Sequence, residues 1–329
     1  MPLQHRTIET NGVRLHCVVD GSGPLVVLLH GFPEFWYSWR HQIAALAPHF
    51  TVVAPDLRGY NESEKPAQVA AYAIDELVAD VEGIIRAFGQ ERAVIVGHDW
   101  GGGVAWTFAM ERPAMTRKLV VMNCPHPAVL AQHFQGNLRQ LARSWYMFFF
   151  QIPWLPEFLM GLQHAWPVGN AVRQSAIQKE AINDEDVQRL RDAASHAGAL
   201  RSAINYYRAA FRDPNAQAAL PAFVRRFLHG DRELPPPRRT FDDWPKITCP
   251  TMLIWGEQDV ALGKELTFGL EPLVPGGIDV RYVPDSGHWV QQERPDLVNR
   301  WLLEFLGELA PAASANEPGL PGGPSPAPA

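Results

Sequence analysis

Short apolar runs bounded by turn residues recur through the first third of the chain. Residues 7–9 and 13–18 flank Asn11-Gly12, a pair suited to the positive φ angles of a tight hairpin turn. Residues 25–29 stand between Gly23-Pro24 and His30-Gly31 and predict a strand buried on both faces. Helical spacing follows at 39–46, a strand at 50–54, an amphipathic helix at 74–88, and further strands at 94–96 and 118–122. Between the last two, residues 104–112 predict a helix, reached from the strand through Gly97, Gly101 and Gly102. Strand and helix alternate throughout this part, which argues for a mostly parallel sheet with crossover helices on both faces.

The alternation stops near Pro125. From there to Pro237 the sequence predicts helices such as 184–195 and 199–210, separated by Pro and Gly, with little that suits a strand. Strand patterns resume at 251–255 and 279–283, and a helix at 296–306 closes the pattern. The predicted division is an α/β core of residues 1–124 and 241–309, interrupted by a helical cap at 125–240. Such a cap belongs over the carboxyl ends of the strands, where open α/β sheets bind ligands. The last stretch, 310–329, is Pro, Ala, Gly and Ser with a single charge and predicts a disordered tail.

Composition narrows the function classes. The 329 residues carry 35 acidic and 29 basic side chains for a formal charge of −6, and basic residues never gather beyond pairs such as Arg225-Arg226. A nucleic-acid partner is therefore not expected. The three cysteines, Cys17, Cys124 and Cys249, are widely spaced in apolar surroundings and predict free thiols in a reducing, cytoplasmic setting. No signal-peptide pattern follows Met1. Residues 145–162 are rich in Trp, Phe and Leu, but Gln151, Pro153, Pro156 and Glu157 interrupt them, so stable membrane insertion is not expected. That stretch suits the packing of a cap, an apolar wall facing a substrate, or the seat of a homodimer.

The chemistry concentrates just beyond three predicted strands. Gly97-His98-Asp99-Trp100-Gly101-Gly102 has the form of a nucleophile elbow with Asp in place of the usual Ser. Asp259 follows 251–255 and His288 follows 279–283, giving the chain order nucleophile, acid, histidine. Each residue alone has an ordinary explanation: Asp99 or Asp259 as a helix cap, His288 as a loop histidine. Their common position and order point to covalent catalysis. No metal-ligand cluster surrounds His30 or His98, and neither dinucleotide nor phosphate-loop glycine spacing is present, so no metal and no cofactor is expected.

Taken together, these segments resemble the epoxide hydrolases of the α/β-hydrolase superfamily, over nearly the whole chain except the tail. His30-Gly31-Phe32-Pro33, extended by Glu34, matches the family's His-Gly-x-Pro loop, and Asp56-Leu57-Arg58-Gly59-Tyr60 matches another of its stretches. Trp255-Gly256-Glu257-Gln258-Asp259 and Gly287-His288-Trp289 match the acid and histidine segments. The resemblance implies two ring-opening tyrosines in the cap, carried onto Tyr146, before Met147 to Pro153, and Tyr207. Tyr206 remains the alternative to Tyr207, because neighbours on a helix point about 100° apart.

What the resemblance implies is attack by Asp99 on an epoxide carbon, with Tyr146 and Tyr207 donating to the ring oxygen. His288, oriented by Asp259, then activates water against the resulting ester. The backbone N–H groups of Phe32 and Trp100 are the matching oxyanion donors, with His30, Gly31 and Pro33 supporting that loop. Phe149, Phe150 and Trp154 are the expected apolar lining for a substrate that is itself an apolar epoxide, with water as the second reactant. A haloalkane or haloacid dehalogenase would use the same Asp99, Asp259 and His288. A serine esterase is disfavoured by Asp at the elbow, and a non-catalytic ligand-binding protein by the full set of reactive groups.

Overall fold

The computed structural model describes residues 3–213 and 241–309. Eight strands form one sheet in the order β1-β2-β4-β3-β5-β6-β7-β8. They are β1 Gln4–Thr10, β2 Val13–Asp20, β3 Leu25–Leu29, β4 Thr51–Pro55, β5 Ala93–His98, β6 Thr116–Met122, β7 Thr251–Gly256 and β8 Ile278–Val283. The first two strands form the expected hairpin, with Asn11 at φ 46° and Gly12 at φ 72°. β2 runs antiparallel to β4, and every pairing from β4 through β3 and β5 to β8 is parallel.

The unbroken apolar runs are explained by burial on both sides. Alternate residues of β3 divide between two cores: Leu25, Val27 and Leu29 pack to one face, Val26 and Leu28 to the other. The first face is covered by α2 (Ile74–Ala87) and α3 (Trp100–Glu111), the second by α1 (Arg40–Leu46) and a carboxyl-terminal helix described below. Both faces of the central strands are thus closed to water, as a parallel sheet requires, while the edge strands β1 and β8 stay partly exposed.

Between β6 and β7 the described residues hold six α-helices and no strand: α4 Pro127–Gly136, α5 Leu138–Arg143, α6 Trp145–Phe149, α7 Leu155–Ser175, α8 Asp184–Ser195 and α9 Ala199–Ala210. This is the inserted helical cap. Residues 162–165 break α7, where Gln163, His164 and Ala165 all have positive φ. The chain returns to the core through β7 and β8, then α10 Val290–Glu293 and α11 Pro295–Leu306, whose Val298, Leu302 and Leu306 pack on the sheet. The predicted disordered tail, and the end of the cap beyond residue 213, lie outside the described residues.

Two predicted elements need correction. The helix expected at 39–46 is preceded by a 3-10 turn over Trp36–Trp39, and the helix expected at 104–112 begins at Trp100. Gly101 and Gly102 therefore lie inside the first turn of α3 rather than ahead of it. The reason is a close approach: a Cβ on Gly101 would collide with the backbone of Leu29 and His30 at the end of β3. Helix propensity alone disfavours glycine at these positions, and tertiary contact overrides it. No helix among the described residues is long and apolar enough to cross a membrane.

Two substitutions separate these effects. Gly101→Ala should lower the unfolding free energy by about 1–3 kcal/mol through overpacking against backbone. Gly103→Ala, whose Cβ would have only Cys124 Sγ at 4.0 Å, should raise it by about 0.5–1 kcal/mol through helix propensity. Urea titrations of both variants check the pair, and equal effects would contradict the close approach.

Candidate active site

β3 and β5 are neighbours in the sheet, although the chain visits β4 between them, so the loops after these two strands diverge and leave a crevice. The loop after β3 carries Gly31 and Phe32, and the turn after β5 carries Asp99. Asp99 sits at φ 48°, ψ −120°, an unfavourable backbone conformation for a residue with a side chain. There its Oδ1 accepts the N–H of Phe32 at 2.8 Å. Gly31 has no room for a Cβ, which would meet Asp99 Oδ1 at 2.7 Å. The Phe32–Pro33 peptide is cis.

His30 bridges this loop to the segment after β4. Its Nδ1 donates to the Gly31 carbonyl at 2.9 Å, and its Nε2 accepts the N–H of Leu57 at 3.0 Å. Full burial lowers its pKa, which suits a neutral ring with one donor and one acceptor nitrogen.

Asp259 and His288 come to the same place from the ends of β7 and β8. His288 Nδ1 donates to Asp259 Oδ2 at 2.7 Å, and its Nε2 stands 3.4 Å from Asp99 Oδ2. Asp259 Oδ1 accepts the N–H groups of Ala261 and Leu262 at 2.8 and 2.9 Å. Burial alone would push the His288 pKa down, but the charges and hydrogen bonds of Asp259 and Asp99 raise it well above the ordinary imidazole value. Burial would likewise raise both carboxyls. The hydrogen bond and charge of His288 instead hold Asp99 and Asp259 low, with backbone amides adding to the effect.

The cap brings aromatic groups over this carboxylate. The Tyr207 ring lies 5.3 Å from Phe32, 5.1 Å from Trp100, 4.9 Å from Phe150 and 5.8 Å from Tyr146, centre to centre. Burial, and then the negative charge of Asp99, push the phenols of Tyr146 and Tyr207 far up, so both hydroxyls stay protonated. Tyr206 points elsewhere. Its hydroxyl donates to the Arg58 carbonyl at 2.8 Å and its ring packs on Tyr60 and Tyr72, so it docks α9 on the core while Tyr207 packs on Phe32 and Trp100, the residues that flank Asp99 in the site.

Phe149 and Phe150 join the same apolar cluster, with Met147 and Met160 beside them. Trp154 does not. It lies 71% exposed at the amino end of α7, in left-handed backbone between Pro153 and Pro156, which turns its indole outward. Trp145 and Trp166 are exposed as well, and Phe148 packs on Phe211 instead. Aromatic content in 145–162 was thus no guide to which rings face inward.

Three buried polar residues gave little warning in the sequence. Asn123, at positive φ just past β6, donates from Nδ2 to Asp259 Oδ2 at 2.8 Å and accepts the Gly256 N–H at 2.9 Å. Glu34, fully enclosed, accepts His98 Nδ1 at 2.8 Å, and His98 Nε2 donates to the backbone carbonyl of His288 at 2.8 Å. Burial works against the Glu34 charge, but His98 and the Gly31 amide hold its pKa down. The available signal was positional: one polar residue directly after an apolar strand, or directly beside a motif.

Comparison with known proteins agrees with this geometry. Residues 24–295 match the family described as alpha/beta hydrolase fold. The chain is 36% identical over 314 residues to the Mus musculus protein named epoxide hydrolase 4, covering 92% of this chain and 78% of that one. Among solved structures, a Bacillus megaterium epoxide hydrolase in complex with an inhibitor superposes with a TM-score of 0.79 at 33% identity, covering 92% of this chain and 100% of that chain. A mutant of the Bacillus megaterium enzyme holding its naphthyloxy-propanediol product gives 0.78 at 32% identity, with the same coverage of both chains.

The charge arrangement predicts a pH signature. The folded pKa of His288 is raised above its unfolded value of about 6.5, so its contribution to stability is full below that pH and is lost as pH rises through the folded pKa. Asp259 is lowered, so its contribution is present above about pH 3.9 and is lost as pH falls through its folded pKa. The difference in unfolding free energy between wild type and Asp259→Asn should therefore be largest between about pH 5 and 6 and shrink as the pH rises past about 6.5. Denaturant titrations across that range check it; a constant difference would count against the coupling.

Proposed function

This chain belongs to the epoxide hydrolase family of the alpha/beta-hydrolase superfamily, and on that premise we propose that it opens a largely apolar epoxide to a vicinal diol through an ester on Asp99. The observation that carries the reading is the unequal environment of the two Asp99 oxygens. Oδ1 is tied to the Phe32 amide, while Oδ2 faces His288 beneath two protonated phenols.

In this reaction Asp99 Oδ2 bonds to one ring carbon as the carbon–oxygen bond breaks and the electron pair goes to the ring oxygen. Tyr146 and Tyr207 donate to that oxygen as its charge develops, and one of them passes its proton to it, leaving a hydroxyl on the substrate and a phenolate in the cap. Alkylation removes the charge of Asp99, one of the two anions raising the His288 pKa. The imidazolium then gives up its proton, which through solvent restores the phenol, and the neutral ring serves as the base. It takes a proton from water as the water oxygen attacks the Asp99 carboxyl carbon.

Oδ1 becomes the oxyanion, held by the Phe32 N–H and by the amide of Trp100 at the start of α3. Collapse breaks the carboxyl carbon's bond to Oδ2, which departs in the diol with the proton from His288, and the proton left on the new Asp99 carboxyl passes to His288, restoring the carboxylate and the imidazolium. Phe32, Phe149 and Phe150 supply the apolar walls, and no metal or cofactor is required. The three cysteines are free thiols, which supports work in the cytoplasm, and the net charge of −6 gives no basis for a nucleic-acid partner.

Two experiments test this. Tyr146→Phe with Tyr207→Phe removes two donors and little volume, and each lost donor should cost about 10²–10³-fold in turnover. Diol release from styrene oxide, an aliphatic terminal epoxide and a haloalkane is measured beside halide release; a double variant that still makes diol well, or a wild type that releases halide instead, defeats the assignment. His288→Gln should stall as a protein heavier by one substrate, with the label on the peptide containing Asp99. In ¹⁸O-water a single wild-type turnover should leave the heavy isotope in Asp99 and unlabelled oxygen in the first diol. Heavy oxygen in that first diol would mean direct attack by water.

A further inference from the structure

The loop bearing His288 is held by a carboxylate that the chemistry above does not use. Glu293, the last residue of α10, is 4% exposed. Its Oε1 accepts the N–H of Gly287 at 3.1 Å and of Trp289 at 3.2 Å, the two residues on either side of His288. Its Oε2 accepts the N–H of Ile177 at 2.8 Å and of Gln178 at 3.0 Å, in the cap segment that follows α7. Among the described residues these four amides are its hydrogen-bond donors. A buried carboxylate is tolerated only when its lone pairs are filled, and here filling them joins cap to core.

Two more bonds cross the same seam. Trp289 Nε1 donates to Ser175 Oγ at 2.9 Å, and Gln178 Nε2 donates to the Asp285 carbonyl at 2.8 Å. From the opposite side His98 Nε2 holds the His288 carbonyl. The backbone of the histidine is thus fixed at the amide before it, at its own carbonyl, and at the amide after it.

We propose that Glu293 is a positioning residue for the water-activating step, an inference that rests on His288 being the base. Ring opening needs Asp99 and the cap tyrosines, none of which bonds to Glu293. Ester hydrolysis needs the His288 ring placed against Asp259 and the attacking water, and that placement runs through the loop Glu293 holds. The same carboxylate makes the base sensitive to the seating of the cap at residues 175–178, so the two halves of the molecule meet in the second half-reaction.

Glu293→Gln keeps size but replaces one acceptor oxygen with an NH₂ group facing backbone N–H groups. Rapid-quench mixing of wild type and variant with epoxide, following ester by intact mass and diol by chromatography, gives the alkylation and hydrolysis rates separately. Alkylation should stay within about twofold and hydrolysis should slow at least about tenfold, so that ester accumulates, kcat falls, and kcat/KM is nearly unchanged. Loss of structure alone would lower both rates and kcat/KM together. If the Gln variant does not fold, Glu293→Asp keeps the charge but is too short to reach both sides, and the same split is expected. Ester in wild type with hydrolysis unchanged in the variant, or with both rates falling equally, overturns the positioning role alone. Absence of ester in wild type overturns the covalent mechanism and this inference with it.

Discussion

The approach of α3 to the end of β3 is the constraint on which the site depends. With no side chain at Gly101, the first turn of the helix lies against the Leu29 and His30 backbone. That contact leaves no length for an ordinary loop between β5 and α3, and Asp99 absorbs the reversal at positive φ. The same closeness brings the Phe32 amide onto Oδ1. A strained residue of this kind persists only when its surroundings over-determine it, and two buried cores on either side of the sheet supply that rigidity.

Charge is arranged around one imidazole. Two carboxylates share it, and each is further satisfied by amide donors rather than by a second cation. Local negative charge and burial act on the tyrosines in the same direction, keeping their protons on. One electrostatic field therefore holds the nucleophile ionised and the ring donors neutral, although all are buried together.

Much of the core could be read along the chain because its signals are local. Asn11-Gly12 determines a hairpin by its own backbone preference, and the 25–29 run needs only its flanking turn residues to mark it as a strand. The triad was legible because all three members follow strands. Orientation within the cap was not. The sequence could not show that Trp154 turns outward while Phe150 turns inward, because Trp154 takes left-handed backbone that its residue type does not announce. Nor could it choose Tyr207 over Tyr206, since the choice depends on Arg58 and Tyr72, far away along the chain. Asn123 and Glu34 acquire their significance only when distant strand ends meet.

The adjacency of Tyr206 and Tyr207 has a consequence for how the pocket can diversify. One residue anchors α9 to the core and the next is the ring donor of the proposed reaction, so in that reaction this helix cannot shift to suit a new substrate without misplacing the donor. The aromatic turn around residues 150–154 is bound to the same helix, since Arg208 of α9 donates to the carbonyls of Phe150 at 3.0 Å and Ile152 at 2.9 Å. Helix and turn therefore move as one piece, so the pocket can be reshaped at lower cost by changing the side chains they carry than by displacing either segment.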